Sequence, residues 1–293
     1  MGDQTDARPP ARPPARIEDT PGRYCPCCDR HVRGGLKPGP DGRPDATCPH
    51  CRSLERHRFF AVLLGALRPA LGRVGTLLDV APAPQPRAQL LRLEPRRYVR
   101  CDLRPGRGVD VRGDLTSLPF RDGCVDLLVC YHVLEHVVDD RTAIRELARV
   151  LAPGGLGIVQ VPWRPGTVTD EDPDAPEEER VRRFGLADHV RYYGDDVEDR
   201  LVEGGLDVHR VTPLDLVGPA ANTFLGLGQD QSVWLVRPAT DGPTPPWALP
   251  SSGGLGDTLE AMVTEIAALR RDRREARQAL RREQDARSGP AAP

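Results

Sequence analysis

Short, nearly unbroken apolar runs recur from residue 74 onward, and the stretches between them return to apolar residues every three or four positions. The runs predict strands near 74–80, 97–102, 108–111, 124–130 and 156–161. The stretches between them predict helices near 86–93 and 139–151. In the second helix Ile144, Leu147 and Leu151 fall at helical spacing, and Pro153-Gly154-Gly155 breaks the pattern before the next strand. Upstream, Ser53 to Leu67 reads as a further helix. Phe59, Phe60, Leu63, Leu64 and Leu67 form its apolar stripe, Ser53 can cap its first turn, and Pro69 is expected to end it. Residues 206–212 and 232–237 read as a closing pair of strands. Strand and helix patterns in alternation predict an α/β fold with a mostly parallel sheet.

Outside this block the pattern fades. Residues 1–22 repeat Arg-Pro-Pro with little apolar material, so a disordered tail is expected. Residues 23–52 form a cysteine module, 53–238 the α/β domain, and 239–256 a Pro/Gly/Ser linker. Residues 257–287 read as one charged helix whose Leu259, Met262, Ile266, Leu269, Ala276 and Leu280 follow three-four spacing, interrupted at Arg273. That helix is either a short coiled coil, which would make the chain a homodimer, or a single solvated helix; residues 288–293 are a second tail. The chain of 293 residues holds no apolar run of membrane-spanning length and no apolar leader at its start, so a cytoplasmic protein is expected. The net charge is −2, and of 41 basic residues only Lys37 is a lysine, a bias that discounts arginine clusters as evidence of a polyanionic partner.

The cysteines change the picture. Cys25-Pro-Cys27-Cys28 is followed, after 19 residues, by Cys48-Pro-His50-Cys51. Two C-x-x-C pairs at this separation match a four-thiolate structural zinc site, each pair on a tight turn that aims both sulfurs at one ion. Cys25, Cys28, Cys48 and Cys51 are the expected ligands, with a shifted set using Cys27 or His50 as the alternative. A shell closed by four cysteines leaves no position for water, which points to a structural role. Cys101, Cys124 and Cys130 fall in or beside strands and read as core.

Acidic residues sit at or near the ends of three successive apolar runs: Asp79 in TLLDVAPAP, Asp102 in YVRCDL and Asp114 in VRGDLTSLPF. In a parallel sheet those ends share one edge, outside which open α/β sheets bind ligands. The series, with the following CVDLLVCYHVLEHV, resembles class I S-adenosylmethionine-dependent methyltransferases over roughly residues 23–238. The resemblance implies a Rossmann-like, mostly parallel seven-stranded sheet with helices on both faces, and S-adenosylmethionine as cofactor. It implies that Asp79, Val80, Ala81 and Pro82 border the methionine part, and that Asp102, with Leu103 beside it, accepts hydrogen bonds from the ribose hydroxyls. It further implies that Asp114 and Leu115 contact the adenine, and that Tyr131 follows the fourth strand beside the transferred methyl group. The family's glycine-rich turn is here Val80-Ala81-Pro82-Ala83-Pro84, without glycine, similar to an Ala-Pro-x-Pro turn in a branch of zinc-ribbon methyltransferases.

His132 is the candidate base, since imidazole titrates near neutral pH; its alternative is a pocket-lining role, and Glu135 and His136 read as structural. FGLADHVRYYG concentrates His189, Arg191 and Tyr192 in a segment without an apolar period, the expected acceptor-binding segment or lid. The acceptor is expected to be a small molecule or sugar-like metabolite. RNA or protein methylation with the zinc module docking the polymer is a rival, supported only by 11 basic against 8 acidic residues in the first 60. A non-catalytic interaction protein on a degenerate methyltransferase fold is a third reading.

Overall fold

The computed structural model describes residues 22–40, 42–228 and 231–240, together with Trp247, Glu275 and Gln278. The expected tails apart from Gly22, most of the linker, and all of the charged helix but Glu275 and Gln278 lie outside the described residues, and so do its coiled-coil and dimer alternatives.

The N-terminal module is built on the hairpin β1 (Arg23–Cys25) and β2 (Arg30–Val32), and its small core is Cys25, Val32, Leu36 and Cys48. It leads into α1 (Glu55–Leu71). Two details of this helix differ from expectation. Ser53 is not its cap: Leu54 is, and its N–H donates to His57 Nδ1 at 3.1 Å. The Ser53 hydroxyl instead lies 3.2 Å from the sulfurs of both Cys25 and Cys51. Nor does Pro69 stop the helix, which continues to Gly72 at φ +56°. A proline in the last turn costs one ladder bond where several carbonyls lack partners anyway.

The α/β block follows as β3 (Thr76–Val80), α2 (Pro84–Leu91), β4 (Arg97–Asp102), β5 (Val111–Arg112), β6 (Val125–Tyr131), α3 (Asp140–Val150) and β7 (Leu151–Gln160). An insert carries β8 (Asp170–Glu171), α4 (Glu177–Phe184) and β9 (Arg191–Tyr192). The chain then closes with α5 (Val197–Glu203), β10 (Leu206–Val211), α6 (Pro213–Leu225) and β11 (Val233–Pro238). The seven-stranded sheet has the order β10-β11-β7-β6-β3-β4-β5. β3 to β7 pair in parallel, while β11 runs antiparallel to both β7 and β10. The sheet is therefore the expected seven-stranded, largely parallel one.

The strands read as continuous apolar runs because both faces are covered. Alternate residues of β6 go to opposite sides: Leu128 and Cys130 join Ile144, Leu147 and Trp234, whereas Leu127 and Val129 join Phe59, Phe60 and Leu63 of α1. β7 pairs with β6 at Leu151 and again from Leu156, with Gly154 at φ +79° inside the skipped stretch. The Pro-Gly-Gly break is thus a bulge within one strand. α6 had no counterpart in the sequence reading, because Gly218-Pro219 resembles a loop. Gly218, at φ 73° and ψ 170°, is a kink between two helical halves. Thr212 and Asp215 cap the first half reciprocally.

Arg58 fastens the module to the α/β block. It is fully buried, and its guanidinium donates to the carbonyls of Ala46 and Ser53 (both 2.9 Å) and of Leu225 (3.1 Å) and Gly226 (2.9 Å). Arg58→Ala strips several buried carbonyls of their donor at once. It is expected to lower unfolding stability by about 3 kcal/mol or more, read as a shift in the denaturant midpoint. A shift below about 1 kcal/mol would mean that water replaces the guanidinium freely.

Among the described residues no helix is long and apolar enough to cross a membrane.

Candidate functional site

The four expected thiols meet in one cluster. The sulfurs of Cys25 and Cys51 are 3.6 Å apart, and those of Cys28 and Cys48 are 3.9 Å apart. A tetrahedral ion with metal–sulfur bonds of about 2.3 Å needs edges of about 3.8 Å, so the set fits. Its electrostatics ask for a cation. Hydrogen bonds, chiefly with Cys27, pull the Cys25 thiol well below its usual range, while burial raises Cys28 and Cys48, so that thiolates cannot accumulate without a counter-charge. Cys27 turns toward α1, its sulfur 3.3 Å from the His57 carbonyl, and His50 is exposed.

The candidate cofactor residues gather at the carboxyl edge of the sheet. β3 lies between β4 and β6, and the strand order reverses there, the position where open α/β sheets leave a ligand crevice. Asp79 is buried near the end of β3 and accepts a 2.5 Å hydrogen bond from the Tyr98 hydroxyl. Burial outweighs that bond and pushes its pKa up to about 6. After Val80 the chain turns through Ala81, whose φ is +50° and whose N–H donates to the Cys101 carbonyl at 2.8 Å. This is the left-handed conformation a glycine would supply freely; here alanine adopts it, and Pro84 starts α2 directly. Asp102 ends β4 with one oxygen accepting from the Arg104 N–H at 2.9 Å, and Leu103 beside it is exposed. Asp114 follows β5. It accepts from the N–H (2.8 Å) and hydroxyl (2.7 Å) of Thr116, the first of which chiefly lowers its pKa, and Leu115 is buried behind it.

Beyond β6 lies a cavity of about 480 Å³. His132 leaves the strand at φ +58°, its N–H donating to the Gln160 carbonyl at 2.8 Å. Its Nδ1 is 3.1 Å from the carboxylate of fully buried Glu135, and Tyr131 packs edge-on against the ring at 5.6 Å. Four buried polar atoms of the cavity wall have no hydrogen-bond partner among the described residues: His132 Nε2, Glu135 Oε2, Gln160 Oε1 and Ser232 Oγ. Groups left so are costly unless a polar guest meets them.

His189 and Tyr192 line the same cavity, as do Pro40 and Arg43 of the N-terminal module and Arg56 at the start of α1. Arg191 does not. It is buried, donating to the carbonyls of Leu134 (2.9 Å), Val137 and Val138 (2.8 Å) and to Glu171 (3.1 Å). With Arg200, Asp140 and Tyr193 it clamps the insert onto the turn after β6. Within the insert, Asp170 and Asp172 pair with Arg183 and hold α4 against the β8 segment.

Gln160, Ser232 and Arg56 were missed by sequence reasoning. Only Gln160 carried a signal, as a polar residue closing the apolar run LGIVQ much as Asp79 and Asp102 close theirs.

Residues 65–159, about a third of the chain, match the family model described as a methyltransferase domain. A Mycolicibacterium smegmatis protein named a probable S-adenosylmethionine-dependent methyltransferase is 35% identical over 109 residues, covering 36% of this chain and 39% of that protein. Ajmaline N-methyltransferase of Rauvolfia serpentina is 37% identical over 71 residues, 24% of each chain. The chain thus spans less than half the length of these curated relatives. Among solved structures, the YcgJ protein of Bacillus subtilis aligns with a TM-score of 0.41 at 18% identity, over 61% of this chain and 98% of that one.

Proposed function

We propose that this chain is a class I S-adenosylmethionine-dependent methyltransferase acting on a small molecule or sugar-like metabolite held in the cavity beside His132. The methyltransferase-domain match and the relatives named for that activity support the reaction class. The observation that carries the reading is the arrangement at the sheet's carboxyl edge. Three carboxylates lie along one side of the reversal in strand order, and a polar cavity with four unpartnered atoms lies on the other.

The residues fit the cofactor by their donor set. Among the described residues one carboxylate oxygen of Asp102 accepts from a backbone N–H and the other has no hydrogen-bond partner, a pair suited to two ribose hydroxyls. Asp114 would accept from the adenine amino group, and Leu115 would wall the ring. Val80, Ala81 and Pro82 would border the methionine part, and Leu103 the ribose. When bound, the cofactor supplies a methyl group on a sulfonium, already a good leaving group. What remains for the protein is to place and desolvate the acceptor atom and to take a proton where the acceptor has one. His132 suits that role, because with Nδ1–H donated to Glu135 its Nε2 lone pair is left for the cavity. His189 and Tyr192 would contact the acceptor. A cavity of about 480 Å³ lies in the range of small-molecule sites and is walled by both the module and the insert, which favours a small guest over a polymer. The thiol cluster would hold a structural zinc through Cys25, Cys28, Cys48 and Cys51.

Calorimetric titration with S-adenosylmethionine and S-adenosylhomocysteine tests the reading. Saturable binding near one equivalent is expected; no binding by folded, zinc-loaded protein would replace it with the interaction-protein reading. A pH dependence is also expected. Asp79, with its pKa raised to about 6, stabilises the free protein fully below the ordinary carboxylate range, and that stability is lost as pH rises through 6. A cofactor carrying an ammonium and a sulfonium prefers the ionised carboxylate, so its affinity should climb between pH 5 and 7. Asp79→Asn should flatten that climb; an equal climb in the variant would remove Asp79 from the cause.

A further inference from the structure

We propose that Glu135, His136 and His189 form a second metal site, which takes a divalent transition cation through two imidazoles and one carboxylate and opens onto the acceptor cavity. The three residues each offer a ligand atom within 4.8 Å of the others, and all three line the cavity. The two imidazoles meet edge to face, with centroids 4.7 Å apart. A cation at about 2.1 Å from each ligand would draw the three atoms to roughly 3 to 3.5 Å, a movement within reach of side-chain rotation.

The hydrogen bonds around the cluster are those of ligands prepared for a metal. His189 Nδ1 lies 2.9 Å from the Phe184 carbonyl, and His136 Nδ1 lies 3.2 Å from the Asp188 carbonyl. A carbonyl only accepts, so both Nδ1 atoms carry the proton and both Nε2 lone pairs are left free. Glu135 is fully buried; one oxygen faces His132 Nδ1 at 3.1 Å, and the other has no partner among the described residues. A buried carboxyl oxygen left without a partner is costly, and a cation there would satisfy it.

The backbone holds the two ligand-bearing segments together. The Val190 N–H donates to the Glu135 carbonyl at 2.9 Å, and Arg191 grips the carbonyls of Leu134 and Val138. Three protein ligands leave open positions toward the cavity. The nitrogen and oxygen donors suit Zn²⁺, Fe²⁺, Co²⁺ or Mn²⁺ and differ in kind from the four-thiol cluster.

The test uses full-length protein dialysed to one zinc per chain and titrated with Co²⁺ alone. A second equivalent is expected, with the weak visible bands of nitrogen and oxygen ligation and no intense thiolate charge transfer. His189→Gln and Glu135→Gln should each weaken this second binding at least about tenfold, while keeping the first zinc and a cooperative melt. Binding that stops at one metal, a second cobalt with thiolate bands, or a second equivalent retained in both variants would overturn the proposal. It stands apart from the methyl-transfer reading, and cofactor titration of the same samples separates the two failures.

Discussion

Asp102→Ala is expected to lower affinity for S-adenosylmethionine by about 100-fold or more and to leave the fold intact, if the proposed ribose site is right. Each hydrogen bond from a ribose hydroxyl to an ionised carboxylate contributes about 1.5 to 3 kcal/mol, and two of them reach the hundredfold range. The fold has little at stake, because Asp102 sits half-exposed at the end of β4 with the Arg104 N–H as its hydrogen-bond partner. Calorimetry on the variant, beside a melting curve within a few degrees of wild type, checks both halves. Unchanged affinity would move the ribose elsewhere along the sheet edge.

Cys48→Ser is expected to have the largest effect on structure. It removes a buried thiol from a cluster whose sulfur spacings suit a tetrahedral ion. Zinc binding in small four-ligand modules is worth on the order of 10 kcal/mol, and a core of Cys25, Val32, Leu36 and Cys48 cannot replace that. The variant should be isolated without stoichiometric zinc and with rapid proteolysis within the N-terminal module. Cys27→Ser should retain the metal, because Cys27 is engaged with the His57 carbonyl. Full zinc in the Cys48 variant, or loss of zinc in the Cys27 variant alone, would point to the shifted ligand set.

The α/β class and the strands of the sheet were legible because strands buried on both faces must be apolar at every position, as Leu127 to Cys130 are. Local signals misled where a longer-range partner took the residue. Ser53 looks like a cap but is claimed by two cysteines, and Gly218-Pro219 looks like a loop but kinks a helix packed under the sheet. The carboxylates Asp79, Asp102 and Asp114 were visible because they end apolar runs in order. Ser232 and Arg56 were not, since each reaches the cavity only through the fold: one precedes the final strand and the other opens a helix far upstream. Arg191 shows the opposite failure. Its polar, aperiodic surroundings suggested a ligand-facing residue, yet its donors are taken up by backbone carbonyls and Glu171.

Pro40 and Arg43 come from the cysteine module and wall the cavity beside His132. A guest in that cavity and a metal held by the four thiols would therefore be thermodynamically linked. Any contact the guest makes with that wall is worth something only while the module is folded around its ion, and coupling of this kind must be reciprocal. Occupation of the cavity should slow the stripping of zinc by a chelator, and the degree of protection would rank candidate acceptors without a turnover assay. A screen for chelator resistance could thus find the proposed acceptor before any product is known.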